Sequence, residues 1–488
     1  MPLELNRRGF LQSAAGALLP GAAQAASPRP NILFFLPDQL RAQALGCMGN
    51  ADVRTPHLDR LAGEGILFRN TLANTPVCCP ARATILSGQY AHRNGMVAND
   101  LRLRESVVTL PQILRDAGYR TGFIGKWHLD GGKRLPGFVP PGPRRHGFEF
   151  WAANECSHTH FHTQYFRDTP EPIPINRFEA AEWADLGIEF LKGSRSDGRP
   201  FFLEIAMGPP HDPYKAPPED AALYDPAKLT MRPNWQAKAG LPGPREIAQY
   251  YGCVTAVDEQ IGRVLASLDE LGMKENTIVL ASSDHGDMLG SQGHRLKRKP
   301  WEESIRVPGI LRYPRGAGKG RVTGCLFTHV DFAPTLLALC GLKPAPGMQG
   351  TDLSRVVTGK TDRGPESAYF EIFGPYRGDG TEGAWRGVRT SRYMYARRET
   401  SPWLLYDLEN DPYEMRNLVN ETSAHRLLEE MERKLAAWMR RTGDNWSSDW
   451  HELVEDKGRL YTGETFYSVQ EYLDWAKAHE AGPAQRRN

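Results

Sequence analysis

The sequence predicts an α/β fold: a large mixed, mostly parallel doubly wound sheet flanked by helices, with a smaller C-terminal α+β domain containing a short antiparallel sheet. Three observations predict it. Short continuous apolar runs recur, each stopping at polar residues, which is the pattern of strands buried on both faces. Helical segments alternate with these runs, so neighbouring strands are joined by crossovers and lie parallel. Beyond about Pro346 the texture turns Gly- and charge-rich and then breaks into short strand-like pieces.

The elements follow in order. Residues 31–36, NILFFL, form a strand that delivers Asp38 at its end. Residues 56–64 carry Leu58 and Leu61 on one face and lead as a helix into a strand at 66–68. Thr109 as N-cap, Pro111 in the first turn and Gly118 at the close mark the next helix. The strand at 121–125 runs into Lys126-Trp127-His128, that at 201–206 ends near His211, and that at 277–281 ends at Asp284-His285. Between the last two, Ile247, Tyr250, Val254, Val257, Ile261, Val264, Leu268 and Leu271 repeat at helical spacing over 245–271. Strand-like pieces at 387–390, 393–395 and 404–408 and a helix near 423–440 make up the small domain. The boundaries are set at 28–355 for the catalytic domain and 356–480 for the small one. In doubly wound sheets ligands bind at the carboxyl ends of the strands, where the polar candidates collect.

Composition narrows the partners. Sixty Lys and Arg against 58 Asp and Glu leave a net charge of +2, and no long basic run occurs, so a nucleic-acid partner has no support. An anionic ligand must then be met by a local cluster. Seven cysteines without a C-x-x-C pair indicate neither a zinc ribbon nor a disulfide scaffold. Residues 1–25 read as a twin-arginine signal peptide, with Arg7-Arg8 before Gly9-Phe10-Leu11, an Ala-rich stretch and Ala23-Gln24-Ala25 as the cleavage pattern. This predicts the twin-arginine translocase as a partner and a periplasmic or secreted product. No later segment approaches the ~20 apolar residues of a membrane span.

The segment Cys78-Cys79-Pro80-Ala81-Arg82, extended through Leu86-Ser87-Gly88, resembles the signature of the formylglycine-dependent sulfatases, the type I sulfatases of the alkaline phosphatase superfamily. The likeness runs from about Asn31 to Leu418. It implies that Cys78, two places before the proline, is oxidised to formylglycine by a formylglycine-generating enzyme, that Cys79 is not, and that Arg82 supports the aldehyde hydrate. A geminal diol suits a sulfate ester: one hydroxyl attacks sulfur, and deprotonation of the other expels sulfate and restores the aldehyde. A helix starting near Pro80 would help hold the anion.

The resemblance implies further roles. Asp38, Gln39, Cys78 as formylglycine, Asp284 and His285 are the expected ligands of one divalent cation, Ca²⁺ first, with Mg²⁺ and Mn²⁺ as alternatives. Pro37-Asp38-Gln39 departs from the family's commoner pair of adjacent acids, and Asp-Gln with Asp-His also occurs in choline-sulfatase-like and phosphonate monoester hydrolase-like relatives. That departure weakens the calcium assignment. In Gly125-Lys126-Trp127-His128, the lysine is expected to hold formylglycine and sulfate and His128 to be the general base. His211 resembles the histidine that contacts sulfate and the leaving oxygen. Lys297, nine residues before Arg306, has the spacing of the sulfate-binding lysine, with Lys299 as its rival.

Three features read as less chemical. Asp287 is expected to be a solvated loop acid. His158, His160 and His162, spaced by two on a loop with no acid nearby, read as substrate contacts or a solvated loop rather than a metal cluster. Residues 406–418 read as turn chemistry. The sequence thus predicts a sulfuric ester hydrolase acting on a sulfated small molecule or oligosaccharide. The alternatives are a phosphonate or phosphate diester hydrolase of the same superfamily and an inactive sulfated-glycan-binding relative.

Overall fold

The computed structural model describes residues 29–99, 101–131, 135–316, 319–373 and 383–446, with the backbone of a two-strand pairing at 455–456 and 459–460. The signal peptide read at 1–25 and the chain beyond 460 lie outside the described residues.

Ten strands precede residue 330: β1 (Asn31–Phe35), β2 (Ile66–Leu72), β3 (Arg120–Lys126), β4 (Phe150–Asn154), β5 (Thr163–Tyr165), β6 (Ile173–Ile175), β7 (Phe201–Ala206), β8 (Thr277–Ala281), β9 (Ile310–Arg312) and β10 (Arg321–Thr328). Eight of them form one sheet in the order β10-β2-β9-β8-β1-β7-β3-β4. Every neighbouring pair in it is parallel except those made by β9, which runs against both β8 and β2. This is the mixed, mostly parallel sheet expected.

Alternation along the strands sends side chains to two cores. Ile32, Phe34, Phe202, Ile278 and Leu280 pack on one face, beneath the helices Cys78–Ser87, Leu110–Asp116 and His329–Leu339. Leu33, Phe35, Leu203, Ile205 and Val279 pack on the other, beneath Pro56–Glu64, Glu179–Asp197 and Pro244–Glu270. The side-chain period of two is why single apolar runs serve both layers.

The small sheet is antiparallel, β11 (Ser367–Ile372), β12 (Trp385–Thr390), β13 (Tyr393–Arg397) and β14 (Pro402–Asp407), in chain order. Phe370, Trp385, Met394 and Leu404 face the large unit's Leu72, Val77 and Ile305. Tyr369, Val388, Tyr395 and Leu405 face the helix His425–Thr442 through Met431 and Leu435. The turn region at 406–418 does more than reverse the chain: Glu414 accepts from the backbone of Glu302 (2.9 Å), and the Tyr413 carbonyl accepts from Asn234 (3.0 Å).

A buried clasp closes the joint on the other side. His92 donates from Nδ1 to Glu371 Oε2 (2.6 Å) and from Nε2 to the Thr442 carbonyl (3.0 Å), while Arg386 and the Tyr369 hydroxyl hold Asp444. Burial pushes the His92 pKa down, but the Glu371 carboxylate outweighs it and raises it to about 9. A folded-state value above the ordinary ~6.5 means that this stabilisation is complete below about pH 6.5 and disappears as pH rises through about 9, with an upper bound of roughly 3 kcal/mol. His92→Gln should therefore lower the thermal midpoint by a few degrees at pH 6, and the gap to the parent should close by pH 10. A gap that stays constant across that range would show that the pair acts through packing alone.

Candidate active site

The central strands β8, β1, β7 and β3 lie side by side, and each hands a polar segment to the same edge of the sheet. Past β1 comes Asp38, past β3 His128, past β7 His211 and past β8 Asp284 with His285. The helix Cys78–Ser87 starts at this edge, so its unsatisfied backbone N–H groups and positive dipole end face the cluster. Cys78 occupies its first turn on the cluster side. Cys79 turns into the hydrophobic core, and its backbone donates to Asn99 Oδ1 (2.9 Å).

Around Cys78 the charges are fully buried. Its Sγ lies 3.2 Å from His285 Nε2, and His128 lies close enough to favour the thiolate. Arg82, one helical turn on, reaches Asp38 Oδ2 (3.1 Å), Asp284 Oδ2 (3.2 Å) and the Lys126 carbonyl (2.7 Å). Lys126 Nζ donates to Asp38 Oδ2 at 2.7 Å. Burial and the thiol would raise the Asp38 pKa, yet Lys126 and Arg82 hold it well below the carboxylate range. Burial would likewise raise the Cys78 thiol, but Lys297 and Lys126 bring it well down. The position thus favours an anion.

A second layer carries the remaining cation. Lys297 Nζ donates to His211 Nε2 (2.6 Å) and to Gln39 Oε1 (2.8 Å), and His211 donates from Nδ1 to the Asp212 carbonyl (2.6 Å). His211 therefore presents Nε2 as a lone pair. The rival, Lys299, is buried two residues away, with its backbone donating to Ser304 Oγ (3.2 Å). His128 sits at φ +57°, in the left-handed region, where its backbone donates to the Glu155 carbonyl (2.7 Å). Such a conformation in a residue other than glycine needs surrounding structure to hold it.

The donor set fits a hard divalent cation. Ligand atoms of Asp38, Cys78, Asp284 and His285 lie within 4.8 Å of one another, all buried. Asp38 Oδ1 has no hydrogen-bond donor among the described residues, a costly state for a buried carboxylate unless a cation meets it. His285 donates from Nδ1 to the Gly286 carbonyl (3.0 Å), which leaves Nε2 as an acceptor toward the same point. Gln39 is placed differently from the other expected ligands. Its Oε1 is engaged by Lys297 and its Nε2 by Asp287 Oδ2 (2.6 Å), so this side chain bridges the ligand group to the second layer.

Two expectations are corrected. Asp287 is not a solvated loop acid: it is 0% exposed, and besides Gln39 it accepts from the Tyr214 hydroxyl (2.5 Å) and from the backbones of Leu289 (2.9 Å) and Leu296 (3.1 Å). An Asp accepting from the backbone two residues on is a local turn signal, but Gln39 and Tyr214 arrive from the segments that follow β1 and β7, far away in the chain. The histidine loop does have an acid. Glu179, from the start of a helix, accepts from His160 Nδ1 (2.8 Å), and His160 Nε2 donates to the His211 carbonyl (2.6 Å). His158 stacks face to face on His211, with ring centroids 4.6 Å apart.

The sulfatase family model matches residues 30–342, and a model for the C-terminal part of N-sulphoglucosamine sulphohydrolase matches 290–441. An ulvan-active sulfatase of Formosa agariphila is 36% identical over 425 residues, covering 86% of this chain and 83% of that protein. The crystal structure of yidJ from Bacteroides fragilis is 30% identical with a TM-score of 0.79, covering 89% of this chain and 99% of that one. A structure solved in complex with its substrate, D-glucosamine-2-N,6-O-disulfate, is 25% identical with a TM-score of 0.77, covering 86% and 99%. The signature helix, the polar strand ends and a family match over most of its length place this chain in the type I sulfatase family of the alkaline phosphatase superfamily, as a sulfuric ester hydrolase.

Proposed function

We propose that this enzyme removes sulfate from a sulfated saccharide by way of a formylglycine formed at Cys78, assisted by one divalent cation. The observation that carries the reading is the buried Cys78, whose Sγ shares one cluster with ligand atoms of Asp38, Asp284 and His285 and lies in the field of Lys126 and Lys297. Oxidised and hydrated, position 78 supplies two hydroxyls on one carbon, one to attack sulfur and one whose deprotonation lets sulfate leave. A cation held by Asp38, Asp284, His285 and the position-78 oxygen supplies Lewis-acid polarisation and offsets sulfate charge, with Ca²⁺ preferred and Mg²⁺ or Mn²⁺ able to fit.

The chain's own groups do the rest. Arg82 pins Asp38 and Asp284 so that both carboxylates point at one locus. Lys126 and Lys297 hold the sulfate oxygens. His128, close to the position-78 side chain, takes the proton there. Once Lys297 turns to sulfate, His211 Nε2 is released toward the leaving oxygen, where in its protonated form it gives the departing alcohol its proton. The saccharide reading draws on the relatives, whose names and titles specify ulvan and a glucosamine disulfate. Residues 1–25 support twin-arginine export to the periplasm or beyond, which would carry out a folded, already modified enzyme.

The test is made on protein from a host with the formylglycine-generating enzyme. The tryptic peptide at 70–82 should show the mass loss of a thiol-to-aldehyde change at Cys78, and the protein should release inorganic sulfate from ulvan oligosaccharides until a chelator is added. Modified protein that frees phosphonate or phosphate from model esters, but no sulfate from any sulfated saccharide, would overturn the reading.

A further inference from the structure

His158 is not used by the chemistry above, yet its ring lies against it. It is half-buried on the loop after β4, stacked on His211 at 4.6 Å with planes only 4° apart. Its Nε2 is 3.7 Å from Cys156 Sγ, a weak contact, and its Nδ1 has no hydrogen-bond partner among the described residues. Burial, with Lys126, His211 and Lys297 nearby, pushes its pKa far down, so the ring is neutral. A group meant to bind the sulfate anion would add charge here. A neutral imidazole instead offers a hydrogen bond suited to a hydroxyl.

The stack fixes where that hydroxyl must be. His211 is itself locked, its carbonyl by the His160–Glu179 pair and its Nδ1 by the Asp212 carbonyl, so His158 is carried on a rigid surface. Lys297 and His211 lie deeper, and His158 retains exposure to solvent. A substrate with its sulfate among Lys126, Lys297 and position 78 therefore extends its alcohol portion past His158.

We propose that His158 is a specificity residue: its free Nδ1 hydrogen-bonds a ring hydroxyl of the sugar next to the sulfate ester, selecting saccharide sulfates by their alcohol part. This role rests on the sulfatase reading, and it is tested by ligands that do and do not carry a sugar. The parent is the folded Cys78→Ala protein, which binds without turnover. Calorimetry compares ulvan oligosaccharides with inorganic sulfate, before and after His158→Phe, which retains the ring stack, and His158→Ala, which removes it.

The expected result is a loss of about 10- to 100-fold in oligosaccharide affinity for both variants, the worth of one well-made buried hydrogen bond. Inorganic sulfate should bind the His158→Phe protein as it binds the parent. An equal loss for both ligands, or a loss restored by phenylalanine, would overturn the proposal and make His158 a prop for His211. Unchanged oligosaccharide binding in both variants would also overturn it. A parent that binds neither ligand would overturn the proposed saccharide-sulfate reading of this site, and the role of His158 with it, a failure visible before any His158 variant is made.

Discussion

Cys78→Ala, made in a host that converts the parent, is expected to release sulfate at least roughly a thousandfold more slowly than the parent, because on the proposed mechanism position 78 carries the hydroxyl that attacks sulfur. Cys79 cannot substitute, since its side chain is packed in the core beneath the helix. The loss should leave the fold in place: removing one thiol from a helix N-terminus creates a small cavity, worth about 1–2 kcal/mol. Ion chromatography of released sulfate, beside a melting curve, checks both halves. Near-parental turnover in the alanine variant would remove position 78 from the chemistry.

The second large effect is expected at Lys297. Its ammonium bridges Gln39 and His211 and lowers the Cys78 pKa more than any other charge does. In a buried site, losing one positioned donor to a developing anion costs about 10²–10³ in kcat, or roughly 2.7–4 kcal/mol. Lys297→Ala should show that loss, while folded Lys299→Ala stays within about tenfold of the parent. Steady-state kinetics on one sulfated oligosaccharide decides it, and the opposite ranking would move the sulfate-binding role to Lys299.

Much of the large sheet was legible in sequence because its strands are buried on both faces and so read as unbroken apolar runs. The strands at 201–206 and 277–281 and the helix at 56–64 have the bounds their patterns predict. Element ends fared less well where pairing extends a strand through polar residues: β2 runs to Leu72 because Asn70, Thr71 and Leu72 pair with β10, although Arg69 and Asn70 break the apolar run. Capping was readable at Thr109, where hydroxyl and Gln112 form the reciprocal box, since both partners lie within one turn.

The sequence by itself determined the α/β class, the polar strand ends and, through the likeness carried by Cys78 to Gly88, the candidate nucleophile. These depend on periodicity and on residues adjacent in the chain. Only the tertiary structure decided that Gln39 turns toward Lys297 and Asp287, that Asp287 is buried, and that Glu179 and His160 brace His211. Each of those contacts joins segments far apart in the chain. Whether a polar side chain is solvated, paired or bridging is set by the groups that folding brings opposite it, and no local pattern records them.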